Sequence, residues 1–174
     1  GVVNHLMAAR RRNFDASPRF LYENARRYDE WKGDEYEGSS IRGAMKGFWK
    51  HGVCEWRDLP YVSGGNFDRI PEKALLRASS RPLGAYFRVS TGAINDMQAA
   101  IAEVGVVLAS AQVHAGWNTP RVRKGARRGS IARIAYEPGA ESLGGHAFAI
   151  VGYDADGFYV QNSWGKSWGT RGCA

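Results

Sequence analysis

Residues 144–165 read Gly144-Gly145-His146-Ala147-Phe148-Ala149-Ile150-Val151-Gly152-Tyr153-Asp154-Ala155-Asp156-Gly157-Phe158-Tyr159-Val160-Gln161-Asn162-Ser163-Trp164-Gly165. Two apolar runs, Ala147–Val151 and Phe158–Val160, flank Asp154-Ala155-Asp156-Gly157. That pattern predicts a β-hairpin with a short Asp/Gly turn. Folding it carries Asn162 back toward His146. Pairing Tyr153 with Phe158 sets Asn162 opposite Ala149, about three residues short of His146. A bulge or a strand end is then needed for the two side chains to meet.

The residue types suit acid/base chemistry. A histidine can take a proton from a nucleophile and return it to a leaving amine. An asparagine carbonyl can accept the other imidazole N–H and fix the ring's tautomer. Gly144 and Gly145 leave room beside the ring, and Trp164 can shield the pair from water.

Outward from this stretch, the chain has 174 residues, 44% of them hydrophobic, enough for one compact domain. No apolar run reaches the ~18 residues of a membrane span. The opening residues carry no signal-peptide pattern and begin with Gly1, which is not expected to be the natural start. Cys54 and Cys173 make no disulfide framework and have no partners at metal-ligand spacing. No cofactor or metal is expected, and the compartment stays open.

Net charge is +7. Six basic residues (Arg121, Arg123, Lys124, Arg127, Arg128 and Arg133) lie between His114 and Tyr136 with no acidic one among them. The stretch reads as a solvated loop, with docking of an acidic partner as the alternative. Nucleic acid is disfavoured, because no aromatic residues interleave the charges.

Helical spacing predicts a mostly buried helix over Val2–Ala9 with a basic end at Arg10–Arg12. Ser17-Pro18 predicts a helix start, with Leu21, Ala25 and Tyr28 on one face. Ser39-Ser40 opens another through Ile41, Ala44, Met45 and Phe48, closed by Gly52. Pro71-Glu72 starts a short one, and Ile94–Val104 one stopped by Gly105. Leu83–Val89, Val106–Val113 (a buried one) and Ile131–Tyr136 read as strands. Helices precede strands, so the fold class is α+β.

Gly145–Tyr153 followed by Gln161-Asn162-Ser163-Trp164-Gly165-Lys166-Ser167-Trp168-Gly169 resembles the histidine and asparagine blocks of papain-like cysteine peptidases. Ser17–Tyr22, Gly52–Tyr61 and Ile94–Leu108 resemble other family segments more loosely. The resemblance implies a papain-like two-lobe fold, one domain over residues 1–174. Residues 1–80 would form mainly a helical left lobe and 81–174 mainly an antiparallel β right lobe, with the cleft between them.

The resemblance also implies a cysteine-type peptidase acting on a peptide or protein substrate, with His146 and Asn162 catalytic and Trp164 and Gly145 walls of the site. The family's nucleophile block, a Gln followed by a Gly/Cys-rich stretch, has no counterpart here. Gly1–Arg12 resembles the later part of the helix that the nucleophile opens, so the cysteine is expected a few residues before Gly1. The residues 1–174 are then expected to be inactive as they stand, and the chain to be truncated at both ends. The alternative is a catalytically dead papain-fold module that binds a peptide or protein. Cys54 opens no apolar helix, and Glu55 and Asp58 would raise its pKa, so it reads as an inert thiol. Cys173 follows the asparagine and is not expected to act. His5, His51 and His114 read as surface or packing residues.

Overall fold

The computed structural model describes residues 1–30, 38–62, 69–127, 129–136 and 138–174. They form two compact units, residues 7–88 and residues 1–6 with 89–174.

Three helices organise the first unit: α2 Pro18–Arg27, α3 Ile41–His51 and α4 Glu72–Ser79. Ser17 caps α2 as its sequence requires. Its hydroxyl oxygen accepts the Phe20 N–H at 3.0 Å and donates to the Leu59 carbonyl at 2.6 Å. One buried side chain therefore satisfies a helix end and ties it to a loop 42 residues away. Ser40 caps α3 through the Gly43 N–H in the same way.

The faces these helices bury differ from the apolar stripes in their sequences. On α2 the buried residues are Phe20, Asn24 and Ala25, not Leu21 or Tyr28. On α3 they are Gly43 and Gly47. A Cβ on Gly43 would lie 2.8 Å from the Ala25 carbonyl oxygen, and one on Gly47 would lie 2.8 Å from the Asn24 carbonyl carbon. The two helices pack backbone to backbone at a four-residue glycine repeat, and this close approach overrides the apolar stripe. Phe20, Cys54, Leu59, Ile70, Ala74 and Ala78 form the core of this unit.

The second unit holds α5 Ile94–Val104 and a three-stranded antiparallel sheet in the order β1 Val107–Val113, β2 Gly144–Asp154, β3 Gly157–Gln161. Gly105 ends α5 in the left-handed conformation, as a C-cap glycine does. Beyond β3 the chain end adds a further pairing. The Val160 and Ala174 backbones exchange hydrogen bonds at 2.7 and 3.0 Å. Val113, Trp117, Val160, Trp168 and Ala174 form the core on one face of this sheet, with Ile134 and Phe148 against it.

Several sequence expectations are corrected. The first helix, α1 Val2–Ala9, forms, but its residues are only partly buried and Arg10–Arg12 follow it in a turn rather than occupying its last turn. Leu83–Val89 is not a strand. It takes no regular secondary structure, and it exposes Tyr86 and Phe87. Its β-formers find no partner ladder, and strand propensity expresses packing on a neighbour. Val107–Val113 is a strand, but it lies at the sheet edge with Ser110–Gln112 exposed. Ile131–Tyr136 makes only a backbone bridge between Arg133 and Arg121.

Candidate active site

The hairpin turn forms as its sequence dictates. Asp154 Oδ1 accepts the N–H groups of Asp156 and Gly157 at 2.7 and 3.1 Å, and its Oδ2 accepts the Tyr159 hydroxyl at 2.6 Å. The Tyr159 hydrogen bond leads the effects that hold the Asp154 carboxyl below its ordinary pKa. Tyr153 pairs with Phe158.

Further along, the register shifts. Gly152 pairs with Tyr159, but Ile150 pairs with Val160, so Val151 is an extra residue on β2. This bulge decides the site. In register without it, Asn162 would stand opposite Ala149, whose side chain lies on the sheet face away from His146. With it, Ala149 pairs with Gln161, and the next position sets Asn162 level with Phe148. Phe148 and His146 are two residues apart on one strand, so their side chains share a face. One inserted residue thereby converts a mismatch of faces into a match.

The two side chains meet. His146 Nε2 lies 2.7 Å from Asn162 Oδ1. The same oxygen accepts the Ser163 backbone N–H at 2.7 Å. A backbone N–H can only donate, so the atom it meets must be the amide oxygen and not the amide nitrogen. His146 Nε2, sharing that oxygen, must itself carry a hydrogen. In the neutral ring the lone pair is then on Nδ1, which no other described side chain or backbone group takes up. The arrangement can therefore accept a proton at Nδ1 while Asn162 holds the ring from behind.

Aromatic rings surround the imidazole. Trp164 lies 4.7 Å from it, centroid to centroid, and Phe148 6.3 Å. Trp117 stands edge-on at 6.1 Å and stacks on Trp168. Trp168 packs in the core, and its indole N–H donates to the Trp117 carbonyl at 2.6 Å. Sequence reasoning missed Trp117. It has no periodic pattern around it, and its one signal is that no other Phe, Trp or Tyr lies between Phe87 and Tyr136. Gly145 pairs with Gln112, which puts it on the sheet face opposite His146. A Cβ there would meet nothing within 4 Å.

The cysteines lie elsewhere. Cys54 is fully buried in the core of the first unit. Burial first, and Asp58 second, push its thiol up to about 11. Cys173 pairs with Gln161, so it shares that residue's face and not the face of His146 and Asn162. Burial raises its pKa too. At pH 8 a thiol with a pKa of about 11 is only ~0.1% thiolate, the reactive form. The native protein should therefore leave Cys54 unlabelled by iodoacetamide at pH 8, and unfolding in denaturant should expose it to rapid labelling. Mass mapping of the alkylated peptide checks this, and fast native labelling of Cys54 would contradict the burial.

The other histidines have structural partners. His51 Nε2 is 2.8 Å from the Tyr28 hydroxyl, and His114 Nδ1 accepts the Gly116 N–H at 3.2 Å. His5 lies on α1. In the basic loop, Arg133 pairs with Asp156, while Arg121, Arg123, Lys124 and Arg127 are exposed. Arg128 lies outside the described residues. Among the described residues no cluster of three or more His, Cys, Asp or Glu could hold a metal, and no helix is long and apolar enough to cross a membrane.

A helical unit, an antiparallel sheet unit and a histidine–asparagine pair carried by a bulged hairpin define the papain-like class of α+β proteins. Residues 28–174 match the papain family cysteine protease model, and the chain belongs to that family. No curated protein sequence matches it. Solved structures share the fold at low identity. Xylellain, a cysteine protease from Xylella fastidiosa, is 22% identical with a TM-score of 0.79, over 99% of this chain and 68% of its own. Digestive procathepsin L 3 of the Tenebrio molitor larval midgut is 19% identical with a TM-score of 0.72, over 99% and 53%. The bromelain protease from Ananas comosus in complex with the E64 inhibitor is 19% identical with a TM-score of 0.67, over 99% and 73%.

Proposed function

We propose that this chain carries the acid/base half of a Cys-His-Asn peptidase site, with His146 the proton carrier and Asn162 its orienter. The observation that carries the reading is the shared Asn162 oxygen, because it fixes Nδ1 as the proton-accepting nitrogen. A thiol loses its proton to Nδ1, and the sulfur bonds to the carbonyl carbon of the scissile peptide. The imidazolium then gives that proton to the leaving amine as the C–N bond breaks. Water, deprotonated at Nδ1, attacks the thioester carbonyl and releases the acid and the thiol. Asn162 stabilises the imidazolium through Nε2–H in both steps without titrating itself.

The thiol belongs to a cysteine preceding Gly1, in keeping with the family's pattern. Cys54 is buried with a raised pKa and Cys173 faces away from His146, so neither suits the role. Residues 1–174 by themselves are then inactive.

The test uses the full-length protein and a peptide substrate. Iodoacetamide should abolish hydrolysis in step with alkylation of one cysteine outside residues 1–174. Hydrolysis that survives complete alkylation of that cysteine, or a loss that tracks Cys54 or Cys173, would overturn the assignment. A protein with no hydrolytic activity that still binds peptides would favour the catalytically dead binding module.

A further inference from the structure

We infer that the basic loop between Arg121 and Arg133 is an exosite that selects polypeptide substrates with acidic residues near the scissile bond, an inference that rests on the catalytic reading above. Between His114 and Tyr136 the described chain holds no acidic residue. Arg121, Arg123, Lys124 and Arg127 are all exposed. Among the described residues no carboxylate lies within ion-pairing distance of any of these four, whereas Arg133 at the base of the loop pairs with Asp156. Even fully extended, the stretch from Arg121 to Arg127 spans only about 20 Å, and charges are screened over about 10 Å at 0.1 M salt. The four cations therefore repel one another, and no described group of the chain offsets the repulsion. A run of carboxylates on a bound polypeptide would.

The loop presents these charges from a fixed base. The Arg121 and Arg133 backbones exchange hydrogen bonds at 3.1 and 3.0 Å. Ala132 beside them is buried, and its N–H donates to the Thr170 hydroxyl at 2.8 Å. Further out, the Ala126 N–H donates to the Arg123 carbonyl at 3.0 Å, a turn that Gly125 permits with φ 80°. The Arg127 carbonyl accepts both the N–H and the hydroxyl of Ser130, at 3.1 and 2.8 Å. This order lowers the entropy lost on binding. The place of the loop argues for the substrate as the partner. The Trp117 ring stands 6.1 Å from the His146 ring, and Arg121 follows Trp117 by four residues, at most about 14 Å of backbone. An extended substrate advances about 3.3 Å per residue, so side chains a few residues from the bond being cut come within reach. The residue types argue for carboxylates. The guanidinium groups of Arg121, Arg123 and Arg127 each match a carboxylate through two parallel hydrogen bonds. No Phe, Trp or Tyr lies between Trp117 and Tyr136 to stack on nucleobases. Val122 is the one large exposed apolar side chain described in the loop, too little to enter a membrane surface.

The experiment uses the full-length protein and peptides that share one cleavable sequence, extended on its N-terminal or its C-terminal side by a run of Glu or of Gln. On one side the Glu peptide should show a KM about 10-fold below its Gln counterpart with kcat within about twofold, the pattern of ion pairs remote from the reacting atoms. At about 0.5 M salt the preference should shrink to about threefold or less. The combined variant Arg121→Ser, Arg123→Ser, Lys124→Ser and Arg127→Ser should bring the ratio of the two KM values to about one. The combined variant Arg69→Ser, Lys73→Ser and Arg88→Ser removes exposed cations of the other unit and should keep the wild-type ratio. Equal KM values for Glu and Gln peptides on both sides, a preference that survives the loop substitutions, or one lost equally in the control would overturn the inference. A second arm does not need turnover. Fluorescein-labelled oligoglutamate, followed by anisotropy on iodoacetamide-treated full-length protein, should bind at least ~10-fold more tightly to wild type than to the loop variant. Tighter binding of a single-stranded oligonucleotide of equal charge would overturn the assignment in favour of nucleic acid. A protein with no peptidase activity would sink the catalytic reading. Loop-dependent binding of oligoglutamate would then still support a site for acidic polypeptide, and its absence would overturn that site as well.

Discussion

Replacing His146 with alanine in the full-length protein is expected to lower kcat/KM for a peptide substrate by about 10⁴-fold or more. In the proposed cycle the imidazole has two duties, removing the thiol proton and protonating the amine, and no described neighbour can take over either. Phe148, Trp117 and Trp164 are aromatic, and Asn162 does not titrate in the working range. General acid–base catalysis contributes about 10²–10⁴-fold by itself, and loss of thiolate formation adds to it. The fold should survive. His146 is only partly buried, and its removal frees an Asn162 oxygen that still accepts the Ser163 N–H. The expected result is a stable, inactive protein, measured by peptide kinetics beside near-UV circular dichroism. Turnover within tenfold of wild type would show that another group moves the proton.

The largest expected effect on stability is at Gly52, where Gly52→Ala should remove about 2–6 kcal/mol. Gly52 closes α3 with φ 71° and ψ −153°, a region that glycine alone occupies freely. That strain costs about 1–3 kcal/mol for any other residue. A second cost is independent of it. A Cβ would run into the Ala78 carbonyl oxygen at the end of α4 and would lie 2.8 Å from the Arg81 carbonyl oxygen. Both are backbone atoms, so relief needs the α4 end to move, at a cost of about 1–3 kcal/mol. Each kcal/mol shifts Tm by about 2–4 °C in a chain of this size, so a fall of roughly 4–24 °C is expected in a thermal melt. Gly92→Ala is the internal comparison, because Gly92 has φ 86° but open space around it. It should lose only the strain part. Equal melting of the two variants would mean the packing at Ala78 contributes nothing.

The parts of the fold legible in the sequence were those set by local chemistry. Ser17-Pro18, Ser40 and Gly105 declared helix ends because a cap or a left-handed residue acts within one turn. Asp154–Gly157 declared the hairpin because its side chain closes the turn by itself. The sequence misled where an element needs a partner. Leu83–Val89 has strand formers but no ladder, and α3 buries its glycines rather than its apolar stripe because α2 approaches too closely for anything larger.

The site divides the same way. The sequence by itself determined which residues could do the chemistry. A histidine after two glycines can carry a proton, and an asparagine across a hairpin can orient its ring, at a separation that a turn can close. It also set the pairing of Tyr153 with Phe158, and with it the need for a bulge or a strand end. Only the tertiary structure decided that Val151 is the extra residue. Nothing in Ala147–Val151 marks it, because any residue of a uniform apolar run can bulge and the choice depends on the sheet's whole register. The structure alone also brought Trp117 to His146. That contact spans 29 positions, and packing on one sheet face created it with no repeat or spacing to announce it.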